Sequence, residues 1–224
     1  MTHHANSSPE HEPAPRRRTV LTLVGRTATR TRGGLARWRT VDIVVAAVVA
    51  VAFGVVFAAW NTLWGATSGA FAAFPPAQAF MYGMWLVPGV LGGLLIRKPG
   101  AAVFTELVAA IVSVFLGAPS PLFIALYGLL QGLGAEAVFA AFRYRRWGLP
   151  VALAAGAGAG LVPAILDNVL YNAAWAPAWM LVYAVLVIAS STVMAGLGGL
   201  ALVRALARTG VLAPFASGRE QPVA

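Results

Sequence analysis

Charge is absent from most of this chain, and the places where it remains constrain the fold. Between Val41 and Ala207 the sequence reads as six long apolar stretches. Basic residues in that span sit at every second junction: Arg97-Lys98, then Arg143, Arg145 and Arg146, then Arg204 with Arg208 just beyond. The alternate junctions, at 61–78, 117–120 and 173–178, hold no charged residue and are rich in Trp, Phe, Pro and Asn. Basic loops stay on the cytoplasmic side of a membrane. The alternation therefore predicts an all-α polytopic protein of the cell membrane, with six transmembrane helices and both termini cytoplasmic. A barrel is excluded because the stretches show no alternating polarity, and in lipid the remaining way to satisfy every backbone group is a helix. The uncharged aromatic junctions then face outward, and a small-molecule site opens on that side.

Only 10% of the residues are charged and 59% are hydrophobic, against about 25% charged in soluble domains. The net charge of +9 does not point to nucleic acid, because eight of the 16 basic residues precede residue 40 and the others sit mainly at helix ends. With no cysteine, disulfides and thiolate chemistry are excluded. The expected organisation is a disordered basic cytoplasmic arm over 1–39, a six-helix membrane domain over 40–209 and a cytoplasmic tail over 210–224. Within the arm, Arg16-Arg17-Arg18 precedes the apolar run Thr19–Val24. That run is too short for the core of an export signal, and contact with anionic lipid accounts better for the arginines.

The predicted spans are 41–60, 79–96, 101–116, 122–142, 151–172 and 179–207. In the first, Ala46, Ala50, Gly54 and Ala58 recur every four residues, a face for close helix approach in lipid. Two readings of that stripe stand side by side: packing within the chain, or docking of a second membrane subunit. The segment 61–78 is expected to be a long loop and, on length, a lid. The run Gly156-x-Gly158-x-Gly160 has no preceding strand and no ribose-binding acid, so its glycines are expected to serve packing.

Three acidic residues fall deep in predicted spans: Glu106, Glu136 and Asp167. Each costs about 2.5–3.5 kcal/mol at a helix centre, so each needs a partner or a wet cavity. Asp167, Asn168, Tyr171 and Asn172 close the fifth span, with Pro163 one turn below to bend it. Trp60, Asn61, Trp64, Tyr82 and Trp85 gather at the same predicted level, and Gln131 lies deeper in the fourth span. Such a lining suits a ligand with an aromatic ring and a few hydrogen-bonding groups. Glu106 and Glu136, at similar depth nearer the basic side, are placed to share a proton or pair with a loop arginine. All three histidines precede residue 12 and no phosphate-binding loop is present. Nucleophile–histidine chemistry, His-ligated metal and ATP hydrolysis by the usual loop are therefore not expected.

The strings Trp60-Asn61 with Trp64, Ile96-Arg97-Lys98-Pro99-Gly100-Ala101-Ala102 with Glu106, and Gln131-Gly132-Leu133-Gly134-Ala135-Glu136 before a basic loop resemble a known family. Over 41–207 the chain resembles the YkoE-type substrate-binding (S) components of energy-coupling factor transporters, which are linked to thiamine and its hydroxymethylpyrimidine precursor. The resemblance implies a non-enzymatic subunit without a cofactor. It also implies an outward pocket for the vitamin, and partnership with a transmembrane coupling subunit and two ATPase subunits. The first-span stripe is similar to the alanine motif by which such components dock that partner, and the resemblance keeps Glu106 and Glu136 among the ligand-binding candidates. An ion-coupled secondary permease for a small heterocycle and a non-transporting membrane assembly protein are the other two readings. A permease requires a gradient-coupling site, for which the three carboxylates are candidates, but no paired repeat is evident.

The orientation is tested with cysteines placed singly at Ser68 and Arg145 in this cysteine-free chain. An impermeant thiol reagent applied to intact cells should label S68C and spare R145C; the reverse pattern overturns the topology.

Overall fold

The computed structural model describes residues 1–2 and 37–219. The expected basic arm therefore lies outside the described residues, apart from its first two and last three positions. The unit that contains the membrane helices runs over Gly33–Ala224, and its described residues are helical, without a strand. In chain order they form α1 (Thr40–Thr67), α2 (Val87–Ile96), α3 (Ala101–Phe115), α4 (Pro121–Ala141), α5 (Leu149–Leu170), α6 (Pro177–Ser191), α7 (Gly199–Arg208) and a short α8 (Ala216–Arg219). A 3-10 turn, Ser68–Phe71, prolongs α1, a 3-10 segment, Pro75–Leu86, leads into α2, and a π-helical segment, Thr192–Gly198, joins α6 to α7.

Five continuous helical stretches are long and apolar enough to cross a membrane: Thr40–Phe71, Pro75–Ile96, Pro121–Ala141, Leu149–Leu170 and Pro177–Arg208. The sixth apolar helix, α3, has 15 residues, or about 22 Å at 1.5 Å per residue, against a hydrocarbon core of about 30 Å. Prolines open the 3-10 segment and helices α4, α5 and α6 within their first two positions, where a missing N–H costs nothing.

The expected loop over 61–78 is mostly helix. No proline interrupts the chain between Trp60 and Thr67, so α1 continues through Trp60, Asn61 and Trp64 and is 28 residues long. The break is delayed until the glycines at 65 and 69 and the Pro75-Pro76 pair. There is accordingly no 18-residue lid; a short turn after Phe71 separates two helical walls.

Of the two readings of the small-residue stripe of α1, burial favours packing within the chain. Ala46, Ala50 and Gly54 are buried, and they pack against α3 of the same chain. A Cβ added at Gly54 would sit 2.4 Å from Val112 Cγ1 and 3.0 Å from the Ala109 carbonyl. Ala58 is half-buried. From Ala46 to Gly54 the stripe is a seam within the chain, because two backbones approach this closely only where neither carries a bulky side chain. The opposite face of α1, with Ile43, Val44, Val48, Val51 and Val55, is exposed. The glycine run of α5 serves packing as expected: a Cβ at Gly156 would meet the Ser191 carbonyl at 2.6 Å, and one at Gly158 the Gly134 carbonyl at 2.9 Å.

The basic end is tied together by a carboxylate that the span reading did not single out. Asp42 is fully buried and forms ion pairs with Arg39 (2.9 Å) and with Lys98. Its Oδ2 also accepts from the Arg39 backbone N–H at 2.7 Å, capping the start of α1. Lys98 donates in addition to the Arg37 carbonyl, and the Trp38 indole N–H donates to Pro99 O. The turn between α2 and α3 is thereby fastened to the start of α1. The tail, as far as residue 219, folds back on the same end: Leu212 and Phe215 are buried and the Ser217 hydroxyl donates to Leu95 O.

The α1–α3 seam predicts that Gly54→Leu destabilises the isolated chain, by about 1–3 kcal/mol for an overpacked core. Thermal unfolding of the purified protein in detergent measures this, and an unchanged midpoint would return the stripe to a surface role.

Candidate functional site

A cavity of about 550 Å³ opens among α1, the 3-10 segment and helices α3 to α6. That volume falls in the range of about 300–1,000 Å³ typical of small-molecule sites. One wall is aromatic: the rings of Trp64 and Trp85 lie 5.0 Å apart, Tyr82 and Trp85 5.2 Å, and Trp64 and Tyr82 6.1 Å. The helical extension of α1 and the long 3-10 segment bring these rings together. A 3-10 helix stacks residues three apart on one face, which places Tyr82 and Trp85 side by side. Two hydrogen bonds hold the wall: Trp85 Nε1 donates to Asn61 Oδ1 at 3.0 Å, and Gln78 Nε2 donates to the Trp64 carbonyl at 2.8 Å.

Next to Tyr82 of this wall, and interacting with it, stands Asp167 on α5, which is buried. Its Oδ1 accepts from the Tyr127 hydroxyl of α4 at 2.7 Å, and its Oδ2 from the Tyr183 hydroxyl of α6 at 2.5 Å. Three helices thus converge on one carboxylate. Asn172 is buried nearby and donates to Asn168 Oδ1 at 3.2 Å, while Tyr171 at the end of α5 is exposed. Trp175 closes this side, 5.9 Å from the Tyr183 ring and nearly perpendicular to it.

Deeper in the cavity lie Glu106 of α3 and Gln131 of α4, both buried. Glu106 Oε2 accepts the backbone N–H of Gly89 at 2.7 Å, whereas Oε1 has no hydrogen-bond partner among the described residues. Pro88 precedes Gly89 at the start of α2, so this amide belongs to a first helical turn whose N–H groups lack helical acceptors. A half-satisfied carboxylate beside a cavity is an open acceptor for whatever enters.

Of the residues expected at the site, Asn61, Trp64, Tyr82, Trp85, Glu106, Gln131, Asp167, Tyr171 and Asn172 line this one cavity. Two do not. Trp60 is turned to the 3-10 segment, where its Nε1 donates to Met81 O at 3.0 Å. Glu136 lies toward the basic end and caps α3: Oε1 accepts from Gly100 N at 2.8 Å and from the Tyr144 hydroxyl at 2.6 Å, and Oε2 accepts from Ala102 N at 2.9 Å. Among the described residues its partners are neither Glu106 nor an arginine, because the orphan donors at a helix start meet it first. Tyr127, Tyr183, Trp175 and Gln78 were not anticipated, although all four line the cavity. A signal for one existed: Tyr127 and Gln131 are four apart on α4, hence on one helix face.

Residues 41–162 match the family described as the permease component of an ABC-type cobalt transport system. A Bacillus subtilis (strain 168) protein named as an HMP/thiamine permease protein, YkoE, is 38% identical over 184 residues, covering 82% of this chain and 92% of the relative. A solved structure described as an S-component of an ECF transporter superposes with a TM-score of 0.78 at 38% identity, covering 82% of this chain and 93% of the other.

The capping role of Glu136 predicts that Glu136→Ala lowers stability by about 1–3 kcal/mol, the cost of leaving buried donors without an acceptor. The near-ultraviolet signature of the tryptophans at the other end should be preserved. Thermal unfolding and circular dichroism check the two parts.

Proposed function

This chain belongs to the YkoE family of S components of energy-coupling factor transporters, and we propose that its cavity captures thiamine or the hydroxymethylpyrimidine half of thiamine for import. The observation that carries this reading is the lining itself: a three-ring aromatic wall beside a tyrosine-held carboxylate, with an open carboxylate oxygen deeper in. A flat pyrimidine stacks against Trp64, Tyr82 and Trp85. Its amino group and ring nitrogens meet Glu106 and Gln131, and the fixed positive charge of thiamine is balanced by Asp167 and the faces of the surrounding rings. The cobalt in the family's description suits this lining less well, because a metal ion has little use for an aromatic wall.

The alternating arginines support an arrangement with the basic end cytoplasmic and the aromatic end outside. The α2–α3 turn carries Arg97 and Lys98, while the α3–α4 turn is uncharged. That charge pattern makes α3 a sixth crossing despite its length, and both termini are then cytoplasmic. The chain has no nucleotide-binding loop of its own, so transport draws on a transmembrane coupling subunit and two cytoplasmic ATPase subunits.

Calorimetry on the purified protein tests the site. Thiamine should bind, Trp85→Ala should weaken binding at least tenfold, and Gln131→Ala should weaken it by about ten- to a hundredfold, the worth of a hydrogen bond to a charged or polar ligand group. Trp60→Phe should leave affinity within about twofold, since this ring faces away from the cavity. Wild-type protein that binds neither thiamine nor hydroxymethylpyrimidine would overturn the reading.

A further inference from the structure

The chemical asymmetry of the cavity extends from its mouth to its floor. Among the described residues its lining includes two acidic side chains, Glu106 and Asp167, and no Lys, Arg or His. The junctions around the mouth are equally bare of cations: between Thr40 and Arg208 every basic residue belongs to the opposite end of the bundle. Glu106 is almost wholly buried and its Oε1 lacks a partner. Asp167 is fixed differently, by one tyrosine hydroxyl on each oxygen. Fixed in this way, it acts on a ligand through its charge and position more than by rotating to meet a donor.

We propose that Asp167, positioned by Tyr127 and Tyr183, is the charge-selecting residue of this cavity, so that the chain accepts a cationic heterocycle and refuses its phosphate ester. The inference rests on the cavity being the ligand site. A phosphate group carried by the ligand would have to lie near Asp167 or Glu106 with no compensating cation among the described lining residues, and like charges repel strongly where water is sparse. A positive ring in the same place gains from the carboxylate and from the aromatic faces together. Tyr127 and Tyr183 are positioning residues here: they hold the carboxylate toward the cavity from two neighbouring helices.

The test is a calorimetric panel on the purified full chain with three probes: thiamine, thiamine monophosphate and neutral hydroxymethylpyrimidine. Wild-type protein should bind the monophosphate at least about thirtyfold more weakly than thiamine, as expected for one like-charge contact at a partly desolvated site. Asp167→Asn should shrink that ratio about tenfold while changing hydroxymethylpyrimidine affinity little. Should that variant fail to fold, the Tyr127→Phe/Tyr183→Phe pair keeps the carboxylate, removes the two hydroxyls that aim it and leaves only Tyr82 beside it, and should shrink the same ratio. A loss of mere packing would lower all three affinities in parallel and leave the ratio where it was, which overturns the proposal. So does a monophosphate that binds wild-type protein within about threefold of thiamine. Absence of binding by all three probes would overturn the vitamin site itself, and is told apart from a lost charge preference by the thiamine isotherm alone.

Discussion

A carboxylate carried into an apolar bundle has to be met by donors from the same chain, because lipid offers none. Among the described residues four such groups are buried, and each is answered differently. Asp42 takes two cations and a backbone amide, and in doing so binds the start of α1 to the α2–α3 turn. Glu136 takes the first amides of α3. Asp167 takes two phenols, which draws α4, α5 and α6 together. Glu106 takes one amide and keeps one oxygen open. The three that are fully met hold helices together, and the one that is not keeps an oxygen open in the cavity that Asp167 also lines. The placement of the helices and the location of the site therefore answer to one constraint.

Close helix approach supplies the rest of the frame. The second and sixth hydrophobic stretches depart from α-geometry where they meet: the 3-10 segment Pro75–Leu86 lies against the region where α6 passes into the π segment. Ser190 bridges them, accepting from Gly83 N at 3.0 Å and donating to Phe80 O at 2.7 Å. A Cβ at Gly83 would come within 2.5 Å of the Ser190 carbonyl, so only glycine allows this contact. Runs of 3-10 helix beyond 3–4 residues are uncommon. This one persists because serine, glycine and the surrounding helices support it, and it presents Gln78, Tyr82 and Trp85 to the cavity.

Much of this was legible in the sequence, for physical reasons that also explain the rest. Apolar runs separated by charged or aromatic junctions mark helices in lipid without ambiguity, and polar residues stranded in such runs mark a cavity or a tie. Asn61, Trp64, Gln131 and Asp167 could be found that way. The segment 61–78 misled because Trp, Asn, Gly and Ser suit an interfacial helix as well as a loop, and composition does not separate the two. The stripe from Ala46 to Ala58 announced close contact but not with which helix, and α3 proved to be the partner. Glu106 and Glu136 look alike in sequence depth; their roles divide because one faces the first turn of α2 and the other the first turn of α3. Tyr127 and Tyr183 went unnoticed because tyrosine in an apolar run is ordinary until a carboxylate from another helix is seen to meet it.

Everything proposed for the ligand depends on its residing in the cavity lined by Trp64, Tyr82, Trp85 and Asp167. The most direct measurement is a crystal or cryo-electron microscopy structure of the purified chain with thiamine. The account predicts ligand density inside this cavity, the pyrimidine against the aromatic wall and a polar edge within hydrogen-bond distance of Glu106 Oε1. An empty cavity with the vitamin ordered elsewhere on the chain would contradict it.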